Sequence, residues 1–82
     1  MNPRITDVKP LDGYRLLLTF TNGEQREFDM TPYLEIGVFK ELKNESLFNS
    51  AKAALGTVTW QNGQDLCPDT FWVDSIPVKS AG

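Results

Sequence analysis

The chain contains no histidine. Ser-His-Asp and Cys-His catalysis within one chain are thereby excluded, as are metal sites built on imidazole. A single cysteine, Cys67, rules out an internal disulfide and fits a reducing, cytoplasmic setting. No apolar run approaches the roughly 18 residues of a membrane-spanning helix. The opening MNPRITDVK also lacks the apolar stretch of a signal peptide, so no membrane association is expected. Basic residues are few: 8 Lys and Arg against 11 Asp and Glu leave a net charge of −3. That balance argues against direct nucleic-acid binding, which needs clustered cations to displace counterions, and favours a basic protein as partner. No phosphate-binding glycine pattern occurs, and no cofactor is expected.

What is present is an ordinary globular composition, 40% hydrophobic and 23% charged over 82 residues. This length predicts a single small α+β domain spanning 1–82, with an ordered core over about 4–76 and a frayed tail at 78–82. Arg4 to Lys9 reads as a first strand stopped by Pro10, which suits an edge position because proline cannot donate to a ladder. Asp12-Gly13 turns the chain into Tyr14–Phe20, where Tyr14, Leu16, Leu18 and Phe20 share one face at period two.

The register of the next hairpin follows from its loop. A two-residue Asn22-Gly23 loop would set Leu16 opposite Asp29 and Leu18 opposite Glu27. A three-residue loop, Thr21-Asn22-Gly23, sets Leu16 opposite Phe28, Leu18 opposite Arg26 and Tyr14 opposite Met30, which gathers the apolar residues on one face. The second arrangement is expected, with Gly23 in the left-handed region as a bulge. Thr31-Pro32 predicts a short helix capped by Thr31, and Val38–Leu42 a continuation past Gly37. Over Asn44–Leu55, Leu47, Phe48, Ala51, Ala54 and Leu55 fall at helical spacing, with Asn44 or Ser46 able to cap the start. On the residues alone this segment is the main helix. A second hairpin is expected around Asn62-Gly63, pairing Thr57–Trp60 with Gln64–Leu66, and a short C-terminal helix from about Pro68 to Asp74.

The fold expectation is therefore α+β: two antiparallel hairpins forming a small twisted sheet, packed against one main helix, with a short C-terminal helix. The stretch 56–75, GTVTWQNGQDLCPDTFWVDS, stands out within it. It holds both tryptophans, the cysteine and three aspartates, and it has no Lys or Arg.

Leu16, Leu18 and Phe20 before Asn22-Gly23, Phe28-Asp29, Phe39 with Leu42, Phe48, Gly56-Thr57-Val58-Thr59-Trp60, Asn62-Gly63 and Asp65-Leu66-Cys67-Pro68-Asp69 together resemble a small bacterial family catalogued as domain of unknown function 2442. The resemblance covers roughly residues 4 to 74. It implies a compact α+β domain in which only the first part of Asn44–Leu55 is helical and Ser50–Ala53 is a short strand. It also implies, for some relatives, an added helix-turn-helix domain, which is not expected within these residues. For others it implies a genetic neighbour of toxin–antitoxin type. Gln61 stands where proline is common in the family, and the segment between Phe48 and Gly56 is shorter than usual.

Weighed residue by residue, the chemistry of 56–75 is modest. Cys67 at a helix start is expected to be a buried structural residue, since flanking aspartates disfavour a thiolate and no base is available. Asp65, Asp69 and Asp74 match no metal-binding loop. Trp60, Phe71 and Trp72 suit a core, but Phe71 and Trp72 are adjacent on a short helix, so one of the two is expected at the surface. The resulting expectation is a non-enzymatic protein-binding or regulatory module, antitoxin-like by resemblance, that docks a basic protein through Trp60, Asp65, Asp69, Phe71, Trp72 and Asp74. The alternative is a small ligand- or metal-binding protein or enzyme with a carboxylate site near Asp65 and Asp69. Homo-oligomerisation through the edge strand near Pro10, or through the sheet face around Leu17, is a third route.

Overall fold

The computed structural model describes residues 2–64 and 66–78. It is mostly β. Strands β1 (Ile5–Leu11), β2 (Arg15–Phe20), β3 (Gln25–Asp29) and β6 (Ile76–Pro77) form one antiparallel sheet in the order β1-β2-β3-β6. Strands β4 (Lys52–Ala54) and β5 (Thr57–Thr59) form a separate hairpin. Two short α-helices, α1 (Glu45–Phe48) and α2 (Pro68–Val73), and two 3-10 segments, Thr31–Tyr33 and Gly37–Lys43, complete it.

The expected register of β2 and β3 is the one observed. Leu16 lies opposite Phe28 and Leu18 opposite Arg26. The Phe20 amide donates to Glu24 O at 2.9 Å and the Gly23 amide to Phe20 O at 2.9 Å, closing the three-residue loop with Gly23 at φ +84. Because paired residues share a face, Leu16, Leu18, Phe20, Phe28 and Ile5 are gathered on one side, where all are buried. Each such side chain contributes about 1.5–3 kcal/mol when fully buried. The opposite face carries Leu17, Lys9, Glu27 and Ile76 in one cross-strand row and is half-buried to exposed.

The main helix is absent: among the described residues no α-helix exceeds the six residues of α2. The reason lies in three interruptions. Pro32 and Gly37, the latter at φ +41, confine the chain to separate 3-10 turns. Asn44 is extended and its side chain accepts from the Ser46 and Leu47 amides, so α1 starts afresh there. Segments this short cannot sustain an α-helix by themselves. After Phe48 the chain turns, and Lys52–Ala54 becomes β4, as the family resemblance implied over Ser50–Ala53 and the helical spacing did not. Leu55, which helical spacing assigned to the core, sits at the hairpin tip and is 97% exposed.

Two further expectations are corrected. Thr31 is not the cap: the Asp29 carboxylate accepts from the Thr31 amide at 2.9 Å and from its hydroxyl at 2.7 Å. The Asn62-Gly63 turn forms, with the Gly63 amide donating to Trp60 O at 2.9 Å, but β5 pairs with β4 and not with the segment that follows the turn. The expected pairing survives only next to the turn, where the Trp60 amide donates to Gln64 O at 3.2 Å; beyond it side chains hold the segment, Thr57 Oγ1 donating to Leu66 O and Thr59 Oγ1 to Gln64 O.

The sheet's edges are closed in a specific way. Phe20 and Met30 direct their amides across the β2–β3 interface, so even-numbered β2 residues bond to β3 and odd-numbered ones to β1. Pro10, opposite Leu16, therefore turns its nitrogen outward from β1. The Val78 amide donates inward to Gln25 O at 3.0 Å, so its neighbour Pro77 also turns outward. At each edge one outward slot that would offer an N–H to a further strand holds a proline, although Val8, opposite Leu18, keeps its outward amide on β1. The expected frayed tail begins at Val78, which is tied to β3; 79–82 lie outside the described residues.

Candidate functional site

The helix α2 begins where expected. Cys67 is its N-cap, Pro68 occupies the first turn and Asp69 supplies the acidic residue favoured there. Phe71 turns inward and packs edge-on to Phe28 with ring centroids 4.8 Å apart. Trp60 is also buried; its indole Nε1 donates to Phe48 O at 3.1 Å, which ties the second turn to α1. Both side chains are thus removed from the expected docking face, since neither presents surface to a partner.

Trp72 is half-buried and already has its partners. One side meets Phe20 edge-on at 5.0 Å, and the Arg26 guanidinium carbon lies 3.7 Å from the indole centroid. Arg26 also donates to Ser75 O at 3.3 Å, and the Glu24 carboxylate stands 2.6 Å from its Nε. The Nε–H does not point at that oxygen, so this last contact is an ion pair by proximity and not an aligned hydrogen bond. The absence of Lys and Arg from 56–75 is therefore local to the sequence, because β3 delivers a cation onto Trp72. The signal was available in the register, which set Arg26 opposite the buried Leu18.

The aspartates are not brought together. Asp69, exposed at the start of α2, accepts from Asn2 Nδ2 at 3.2 Å. Asp74, exposed at its end, accepts from the Tyr33 hydroxyl at 3.0 Å. Burial first, and then that hydrogen bond and the carboxylate's charge, raise the Tyr33 phenol above its ordinary range. Asp65 lies outside the described residues. Among the described residues no three of Cys, Asp and Glu converge as metal ligands. Cys67 is exposed, contrary to expectation. As the N-cap it stands outside the helix proper, and Phe71, one turn on, takes the core side.

Two surface depressions flank α2. One, of about 340 Å³, lies beyond its C-terminus and is bordered by Glu27, Asp29, Asp74, Ile76, Val78 and Arg15. Ile76 is 71% exposed. Arg15 is paired with Glu27 at 2.5 Å, which leaves the carboxylates of Asp29 and Asp74 in excess at the rim. The other, of about 410 Å³, lies at the N-terminal side of α2, bordered by Arg4, Ala54, Leu55, Leu66, Cys67 and Pro68. It continues through Arg4 and Cys67 to a second hollow that Asn2 and Asp69 border. Both offer apolar surface with charge at the margin. Sequence reasoning missed both, because each is assembled from strands distant along the chain.

No curated protein and no solved structure matches the chain significantly. The model of a family described as "Protein of unknown function (DUF2442)" matches residues 5–77. That span runs from the first residue of β1 to the last of β6, and the chain belongs to this family.

Proposed function

We propose that this protein is a non-enzymatic protein-binding module that docks a basic, amphipathic segment of another protein in the depression beyond α2. The observation that carries this reading is a pair of exposed apolar side chains, Ile76 and Val78, bordering one depression with the carboxylates of Asp29 and Asp74. Exposed apolar side chains grouped under charge of one sign are a mark of a recognition surface. The one cation at the rim, Arg15, is neutralised by Glu27. A partner that places an aliphatic residue on Ile76 and Lys or Arg against Asp74 and Asp29 satisfies both features. Of the residues expected at the docking face, Asp74 belongs to this surface, whereas Trp60 and Phe71 do not.

The antitoxin-like arrangement implied by the family resemblance supplies the partner for the test, the product of the adjacent gene. Co-purified and titrated by calorimetry, the complex is expected to weaken as salt is raised, by about tenfold per 1.4 kcal/mol lost. Ile76→Glu and Asp74→Lys are each expected to weaken binding tenfold or more, with an unchanged circular dichroism spectrum. Tyr33→Phe, which frees Asp74 without altering its charge, is expected to leave binding intact. Binding that survives both Ile76→Glu and Asp74→Lys overturns the assignment.

A further inference from the structure

We infer that the chain forms a two-fold homodimer through the cleft at the tip of the β4–β5 hairpin, with Leu55 of each copy seated on the other's apolar strip. The surface is distinct from the one beyond α2. The inference starts from Leu55. Its backbone lies at φ +54, in the left-handed region that favours Gly and Asn, and its side chain is 97% exposed. Tyr14, the other non-glycine residue at positive φ, shows what normally offsets such strain: its ring packs on Phe48 and its hydroxyl donates to Lys43 O. Leu55 has no such compensation among the described residues. A strained backbone that holds a large apolar side chain in water is accounted for when that side chain has a seat elsewhere.

The charges around the tip select the occupant. Gly56, at φ +82, leaves room for the stem of Arg4 to lie against the turn; a Cβ there would stand 2.8 Å from Arg4 Cδ. Arg4 is exposed and, among the described residues, has no carboxylate within ion-pair distance. Asp69 is exposed in the same cleft with only the neutral Asn2 amide upon it. One continuous surface thus carries a cation, Arg4, an anion, Asp69, and the apolar side chains of Ala54, Leu66 and Pro68. In a two-fold interface each residue pairs with a different residue of the second copy, so this patch is complementary to itself, Arg4 meeting Asp69 twice. Pairing through the sheet edges is disfavoured, because Pro10 and Pro77 each remove an outward donor there.

Sedimentation equilibrium tests the inference. The apparent mass is expected to rise with concentration from 9.2 kDa towards twice that value. Leu55→Asn, which suits the turn and so preserves the hairpin, is expected to remain monomeric throughout. Arg4→Glu and Asp69→Arg are each expected to be monomeric alone and to form a heterodimer when mixed, since mixing restores both opposite-charge pairs. A wild-type chain that stays monomeric overturns the inference, as does a dimer unaffected by Leu55→Asn or a mixture that fails to associate. A monomeric chain that still binds its basic partner leaves the reading of the other surface standing.

Discussion

At the scale of single residues, the structure separates strain that is compensated from strain that is not. Leu55→Asn exchanges a leucine held at positive φ for a residue that tolerates it, where the cost for ordinary residues is roughly 1–2 kcal/mol. Measured by denaturant unfolding at low concentration, the variant is expected to be more stable by about 1 kcal/mol. Trp60→Phe removes the indole donor to Phe48 O, which keeps the Ala51 amide at 3.2 Å as its remaining partner, for an expected loss of about 0.5–1.5 kcal/mol. Cys67, exposed in the single chain, is expected to react readily with a thiol reagent in the folded protein at low concentration and more slowly as the dimer forms over its cleft. Size favoured a core place for Trp60, Phe71 and Trp72, but the sequence could not say which of the adjacent Phe71 and Trp72 turns inward, and Trp60 and Phe71 were expected at the docking face. Arg26 over Trp72 could not be read from 56–75 alone, because the cation comes from a strand far back along the chain.

Among elements, the turns were the most legible. Asn22-Gly23 and Asn62-Gly63 act through local backbone geometry, which needs no knowledge of the rest of the fold. Gly23→Ala tests this cleanly: a Cβ there meets nothing within 4 Å, so only the φ of +84 opposes it. A loss of about 1 kcal/mol is expected by thermal or chemical unfolding. The helices were less legible. Leu47, Phe48, Ala51 and Leu55 repeat at helical spacing, yet the side chain of Asn44 starts a new helix and the Leu55-Gly56 turn requires two positive φ values. Periodicity over a short apolar segment does not separate a helix from a helix followed by a hairpin. Strand β6 was invisible for another reason: two residues, one of them proline, carry no alternation, and their pairing depends on β3 being already in place.

The whole molecule is held by contacts that reach across most of its length. The Tyr33 hydroxyl joins the first 3-10 segment to the end of α2 through Asp74. Because the folded phenol is raised above its ordinary value of 10.0, the stability it supplies is present below that pH and is lost as pH climbs through the folded value. Tyr33→Phe is expected to remove this component of alkaline unfolding in a pH series followed by circular dichroism. The candidate surfaces belong to this scale too, since each is built from segments that meet only in the folded chain.

The pairing of β6 with β3 has a consequence for how the protein is made. The edge of Gln25–Asp29 emerges from the ribosome early, whereas its covering strand, Ile76–Pro77, emerges some fifty residues later, roughly the separation of the paired positions. During that interval β3 presents unpaired amides and carbonyls to every neighbouring nascent chain. Completion of the sheet waits on that later segment, and the hazard of misassembly is set by the time between the emergence of Asp29 and that of Pro77.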